Sequence, residues 1–137
     1  MLYYSFFQPA CNIIQRNREL KIRIVMNRIE EQVLGIKFVQ VLKDSDAVIR
    51  IAFNHEHPYW SRVGREAERV NSNEPTMNLS DVTGHESGGI QEGSKEYGCI
   101  MHELFHSLGM HHEHQHFDRP FEISAVGTCT SHFIIWS

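Results

Sequence analysis

Apolar residues recur at intervals of three and four between positions 22 and 33, and charged or amide residues occupy most of the remaining positions. This period is typical of an amphipathic helix that buries one face. The apolar positions are Ile22, Val25, Met26, Ile29 and Val33. Gly35 follows shortly afterwards and suits the backbone conformation in which helices commonly end. The pattern therefore predicts a first helix that ends near position 34.

Short apolar runs on both sides of this helix predict β-strands. Residues 3–7 are mainly aromatic, and residues 36–42 and 47–53 are rich in β-branched side chains, with a polar turn between the last two runs. Residues 54–75 are rich in Asn, His, Glu and Pro, so we predict mainly loop there. Residues 76–79 are expected to form one further short strand.

A second helix is predicted over positions 94–108. Ser94 is a suitable N-cap, and Gly109 suits the left-handed conformation that ends a helix. An apolar stripe on this segment is expected to pack against the sheet; its members are Tyr97, Met101, Leu104, Phe105 and Leu108. The resulting order of helix, strands, loop and helix is that of an α+β layered domain.

Composition limits the possible classes of function. A length of 137 residues corresponds to one small domain, and 41% hydrophobic with 22% charged residues is ordinary for a globular protein. The net charge of −4 and the absence of a basic stripe argue against a nucleic-acid partner. No apolar run reaches the roughly 20 residues needed to cross a bilayer, so no membrane partner is expected. Three cysteines are too few for a disulfide framework.

Histidine is the unusual component of the chain, because six of the ten histidines lie between His102 and His116. His102 and His106 are four residues apart, which places both imidazoles on one face of the predicted helix. A sharp turn at Gly109 would bring His112 back toward them, whereas a continued helix would carry residue 112 to the wrong side. Three imidazoles on one Zn²⁺ leave a coordination position for water, as in catalytic zinc sites.

Glu103 lies beside the first of these histidines and is the expected general base. A carboxylate in that position can accept the proton of an attacking water and pass it to the leaving nitrogen. The residues therefore predict one zinc ion on His102, His106 and His112, with Glu103 as the catalytic group.

Alternatives to this site stay open on the sequence alone. His111 is the rival of His112 as third ligand. In another type of zinc peptidase the third ligand is a glutamate on a later helix, and Glu122 is the candidate in range, although Pro120 disfavours a helix there. A different class of function is a non-catalytic zinc-binding or interaction module. Glu103 argues against that class, since a structural zinc site does not need the carboxylate.

The run from His102 to His112 resembles the extended zinc motif of the metzincin peptidases, and within that clan it looks most like the astacin-like group. The features that carry the closer likeness are Leu104, Glu113, Gln115, Asp118 and Arg119. The resemblance implies zinc on His102, His106 and His112, Glu103 as general base, and a peptide or protein substrate. It also implies that the substrate binds extended and antiparallel to residues 76–79, at an edge strand.

The resemblance covers residues 1–120, whereas residues 121–137 are not similar to the family's lower subdomain. That subdomain contains a methionine turn below the metal and, in astacins, a tyrosine that reaches it; here the last methionine is Met110 and the last tyrosine is Tyr97. We therefore predict an upper metzincin-like subdomain over 1–120, in which a small mixed sheet packs on two helices, and an atypical tail over 121–137. A monomer is expected. The first residues do not form a clear secretion signal, and an extracellular location is expected from the resemblance alone.

Overall fold

The computed structural model describes residues 1–112 and the backbone of residues 134–135. In chain order the helices and strands are β1 (Leu2–Phe6), α1 (Ile13–Gln32), β2 (Phe38–Gln40), β3 (Ile49–Ala52), β4 (Trp60–Ser61), β5 (Met77–Asn78), α2 (Lys95–Ser107), β6 (His111–His112) and β7 (Ile134–Ile135). Two 3₁₀ helices, Asp44–Asp46 and Gly64–Arg69, connect strands. The predicted α+β class, with a mixed sheet and two helices, is confirmed.

Five strands form one mixed sheet in the order β2-β1-β3-β5-β4. β1 pairs in parallel with β2 and β3, and β3 pairs in parallel with β5. β4 is the exception, because it runs antiparallel to β5 at one end of the sheet. The connection from β1 to β2 passes through α1, which is the long crossover that a parallel pair requires.

Helix α1 begins at Ile13, well before the apolar stripe that predicted it. The Asn12 side chain caps it by accepting a hydrogen bond from the Gln15 nitrogen at 2.8 Å. Gln15 and Lys21 are buried in the first half of the helix, and these polar residues hide the hydrophobic period there. In the second half, the predicted stripe from Ile22 to Ile29 is buried as expected.

In the part of the chain that the structure describes, one core joins the sheet to both helices. The residues that are at most 1% exposed come from β1, α1, β3, β5, α2 and the segment after β5; they are Ser5, Ile22, Val25, Ile29, Ile49, Ile51, Met77, Asn78, Leu79, Val82, Ile100 and Leu104. Beside this core, the Lys21 ammonium contacts the Glu96 carboxylate at 3.0 Å and the Thr83 hydroxyl at 2.9 Å. An ion pair therefore ties α1 to the first turn of α2.

The position of β5 corrects one expectation. Residues 76–79 are not an edge strand, because the Thr76 and Leu79 nitrogens donate to Arg50 and Ala52 on β3, while the Thr76 oxygen accepts from Arg62. Both sides of this segment are therefore occupied. The second side is covered by β4, which lies in the segment predicted to be mainly loop, as does the 3₁₀ helix Gly64–Arg69. A two-residue strand is too short to produce a readable alternation in sequence.

Two buried polar side chains hold the loops around these strands. Asn78 is 1% exposed; its Oδ1 accepts from the Asn54 nitrogen at 2.8 Å, and its Nδ2 donates to the Asn54 and Pro58 oxygens, both at 2.9 Å. The amide thereby shapes the loop that leads into β4. The Arg50 guanidinium, whose pKa is lowered by burial, donates to the Glu74 oxygen at 2.7 Å and holds the segment before β5. Such contacts satisfy main-chain groups that no strand pairs.

Several predictions concern residues outside the described part of the chain. These are the proposed boundary between residues 120 and 121, the rival ligand Glu122, and the residues from Glu113 to Arg119 that carried the closer resemblance. Within the described residues, no helix is both long enough and apolar enough to cross a membrane.

Candidate metal centre

Helix α2 carries the predicted site and has the predicted ends. The Ser94 hydroxyl accepts a hydrogen bond from the Tyr97 nitrogen at 3.2 Å and so caps the first turn. At the other end Gly109 has a φ of +98°, the left-handed conformation that its place in the sequence predicted. Tyr97 and Leu104 are buried as expected, and Met101, Phe105 and Leu108 are partly buried against the core. Ile100, which the predicted stripe omitted, is fully buried.

The two helical histidines and the one after the turn converge on a single point. The Nε2 atoms of His102 and His106 are 2.9 Å apart, and those of His106 and His112 are 3.0 Å apart. The ring centroids of the three pairs lie 4.5, 4.8 and 4.5 Å from each other. Among the described residues, these three form a group of metal-binding side chains. The turn at Gly109 therefore brings His112 back to the helical pair.

The surroundings of His106 determine which of its ring nitrogens faces this point. Its Nδ1 lies 2.6 Å from the Met110 carbonyl oxygen, which can only accept, so Nδ1 carries the proton and donates. Burial lowers the pKa of His106, which is 4% exposed, and favours the neutral ring. The lone pair therefore lies on Nε2, toward the other two rings. A main-chain carbonyl that orients a histidine in this way is common around metal sites.

Three imidazole nitrogens in this arrangement fit a zinc ion. Zn–N bonds of about 2.0–2.1 Å in a tetrahedral site imply nitrogen–nitrogen separations of roughly 3.3 Å, and the two short separations between the Nε2 atoms lie within a few tenths of an ångström of that value. Neutral nitrogen donors without a thiolate are a typical set for zinc. His102, His106 and His112 are accordingly the residues that could hold the metal.

Glu103 follows His102 on α2 and is almost completely buried, at 5% exposure. Burial raises the pKa of its carboxyl group to about 7. The other histidines of the described residues differ from this group in being exposed. His111 is exposed and lies outside the histidine group, and His55, His57 and His85 are exposed in loops. The structure thus brings together the three histidines that were expected to bind the metal, and the rival third ligand, His111, lies at the surface.

Two elements beside this centre were not anticipated. β4 contacts α2 and, within the described residues, has a strand partner on one side only. His111 and His112 form the strand β6, which pairs antiparallel with Ile134–Ile135. A ribbon of two residues on each side has no sequence signal, since pairing between distant residues leaves no local pattern.

The structure combines a mixed sheet with one antiparallel edge strand, a helix carrying two histidines and a glutamate, and a glycine turn that returns a third histidine. Together these features define the metzincin class of peptidase folds. The chain belongs to the astacin family of peptidases, because the family model described as Astacin matches residues 7–126. This family consists of zinc peptidases. Curated protein sequences show no significant match to this chain.

Two solved structures are similar to the fold. The structure titled "Crystal structure of myroilysin" has a TM-score of 0.64 at 24% identity over 85% of this chain. A second, "Structure of Myroilysin", has a TM-score of 0.61 at 24% identity over the same share. The chain spans less than half of these two proteins, 45% and 44% of their lengths. At this identity the likeness concerns the fold.

Proposed function

We propose that this protein is a zinc-dependent metalloendopeptidase that hydrolyses peptide bonds, with His102, His106 and His112 as the metal ligands and Glu103 as the general base. The observation that carries the proposal is the convergence of three Nε2 atoms: those of His102 and His112 lie 2.9 and 3.0 Å from that of His106. The helix that carries two of these histidines also carries the buried carboxyl group of Glu103. A purely structural zinc site has no use for that carboxyl group. Family membership supports the same reading.

When bound, a zinc ion lowers the pKa of a water molecule toward neutrality and polarises the scissile carbonyl group. Side chains of the protein carry out the proton transfers and orient the ligands. The Glu103 carboxylate accepts the proton of the water as the water attacks the carbonyl carbon, and then transfers this proton to the leaving amine nitrogen. The Met110 carbonyl keeps the proton of His106 on Nδ1, so that the ring presents its Nε2 lone pair throughout.

The substrate is proposed to bind as an extended peptide along β4 rather than along residues 76–79. The main-chain groups of residues 76–79 already pair with both neighbours, whereas β4 ends the described sheet and contacts the helix that carries the site. An extended peptide added to such an edge gains main-chain hydrogen bonds, with side chains left to provide specificity. The family resemblance supports the further proposal that the protein is secreted, and we also propose that it is a monomer.

The test is hydrolysis of an unstructured protein by the purified, zinc-loaded chain, beside a Glu103→Gln variant and a Glu56→Gln control in an exposed loop. We expect Glu103→Gln to retain zinc and to lose activity by about 10²–10⁴-fold, the usual contribution of a general base. The Glu56→Gln control should match the wild type. A chelator should abolish cleavage, and added zinc should restore it.

Each outcome separates the proposal from its alternative. Zinc bound by the wild type without any cleavage would support a non-catalytic zinc module. Equal cleavage by the wild type and Glu103→Gln would contradict the assigned base, and a wild type that binds no zinc would contradict the site as a whole.

A further inference from the structure

The 3₁₀ helix Gly64–Arg69 follows β4 along the chain and packs beside α2, near the turn that ends this helix. Its first residue, Gly64, lies directly against Gly109. A Cβ atom on Gly64 would be 3.1 Å from the Gly109 Cα and 3.6 Å from the Gly109 nitrogen. Carbon atoms normally approach to about 3.5–4.0 Å. Since the contacted atoms belong to the main chain, no change of rotamer can relieve this contact.

The close approach, more than the backbone angle, explains a glycine at position 64. Gly64 has a φ of +50°, which lies in the small left-handed region that asparagine also adopts. Gly35 has a φ of +86°, yet a Cβ there would meet nothing within 4 Å. The two glycines therefore differ in whether a neighbouring backbone occupies the space of a side chain.

Gly109 is linked by short contacts to the histidine group. Its nitrogen donates to the His106 oxygen at 2.9 Å, and the next nitrogen, of Met110, donates to the Phe105 oxygen at 3.1 Å. The Met110 oxygen in turn orients the His106 ring at 2.6 Å. His112 follows only three residues after Gly109. A displacement of Gly109 would therefore change both the orientation of the His106 ring and the position of the third histidine, His112.

We propose that Gly64 is a positioning residue for the metal centre: the contact between the Gly64 and Gly109 backbones sets the path of the turn that delivers His112. Because Gly64 lies three residues beyond Ser61, the same contact fixes the distance between the edge strand β4 and that turn. This inference rests on the proposed zinc site, and it adds a residue outside α2 that determines how well the site is formed.

The experiment measures affinity for Zn²⁺ and Co²⁺ by competition with a chelator in the full chain, without any substrate. The variants are Gly64→Ala, Gly64→Asn and the control Gly35→Ala, and the metal-free form of each is first checked for an unchanged circular dichroism spectrum. Asn tolerates the backbone angle but keeps the Cβ atom, so it separates the contact from backbone strain and serves if the Ala variant does not fold.

We expect both Gly64 variants to bind Zn²⁺ about 10- to 100-fold more weakly than Gly35→Ala, the usual range for groups that support metal ligands. The visible spectrum of bound Co²⁺ should also change shape, because the third nitrogen is displaced. Wild-type affinity in Gly64→Asn would overturn the inference while leaving the proposed function intact. A wild-type chain that binds neither metal would instead overturn the proposed function.

Discussion

At the scale of single residues, the candidate site depends on the direction in which each imidazole points. His111 and His112 are neighbours in sequence, but His112 is part-buried within the histidine group whereas His111 is exposed. His106 has its ring fixed by the Met110 carbonyl. A metal selects among chemically identical side chains by position, so neighbouring histidines should differ strongly in their contribution to affinity.

Replacing these two neighbours one at a time tests that difference. We expect His112→Ala to weaken zinc binding by more than the roughly 10- to 100-fold lost when a supporting group is removed, because a ligand itself is deleted. His111→Ala should stay within about threefold of the wild type, since its side chain lies outside the group. Isothermal titration calorimetry with Zn²⁺ measures the affinity of both variants. The opposite ranking would assign His111 as the third ligand.

At the scale of elements, the position of α2 depends on contacts at both of its ends. The turn at Gly109 lies against Gly64, while the first turn is held by the ion pair between Lys21 on α1 and Glu96 on α2. The Lys21 side chain is 6% exposed and that of Glu96 is 23% exposed, and the Glu96 carboxylate also accepts from the Thr83 nitrogen at 2.7 Å. A buried pair of this kind joins the two helices that pack on the sheet.

Removal of one partner of the buried pair should destabilise the fold. We expect Lys21→Met to lower the free energy of unfolding by about 2 kcal/mol, because it leaves the Glu96 carboxylate without its cation. The matched control is Lys37→Met, whose partner is Glu30 but whose side chain is 66% exposed, and it should cost less than about 1 kcal/mol. Urea unfolding of both variants provides the comparison. Equal losses would mean that burial of the ion pair does not set its contribution.

At the scale of the whole molecule, the described part of the chain has one core, and the histidine group lies at its border. His106 and Glu103 are buried, and the neighbouring Ile100 and Leu104 on the same helix are part of the core. The third histidine lies after the turn, so the site is assembled only when the core holds α2 and the turn in place. Metal binding and folding should therefore be coupled.

This coupling predicts that zinc stabilises the protein against heat. Free zinc at 100 times its dissociation constant should add about 2.7 kcal/mol, provided that the unfolded chain does not bind it. For a domain of this size, that energy corresponds to a rise in Tm of roughly 10 °C. Calorimetry with and without a chelator measures the shift, and His106→Ala should abolish it. A Tm that does not respond to zinc would argue against a preformed site.

Much of the fold could be predicted from local patterns. The apolar stripe at 22–33 indicated α1, the β-branched runs indicated β2 and β3, and Ser94 with Gly109 marked the ends of α2. The short strands could not be found in this way. β4 has two residues, and its place at the end of the sheet depends on pairing with β5 across the intervening loop. Residues 76–79 were for the same reason assigned to the wrong position in the sheet.

The residues of the candidate site could be predicted from local spacing in the sequence. Spacing of four residues places His102 and His106 on one helical face, and a glycine after the helix permits the return of His112, because both follow from the local geometry of the backbone. Three features depend on tertiary contacts: which strand ends the sheet within the described residues, which ring nitrogen of His106 faces the histidine group, and the contact between Gly64 and Gly109. These features arise from contacts between distant segments, and a sequence pattern records distances along the chain rather than distances in space.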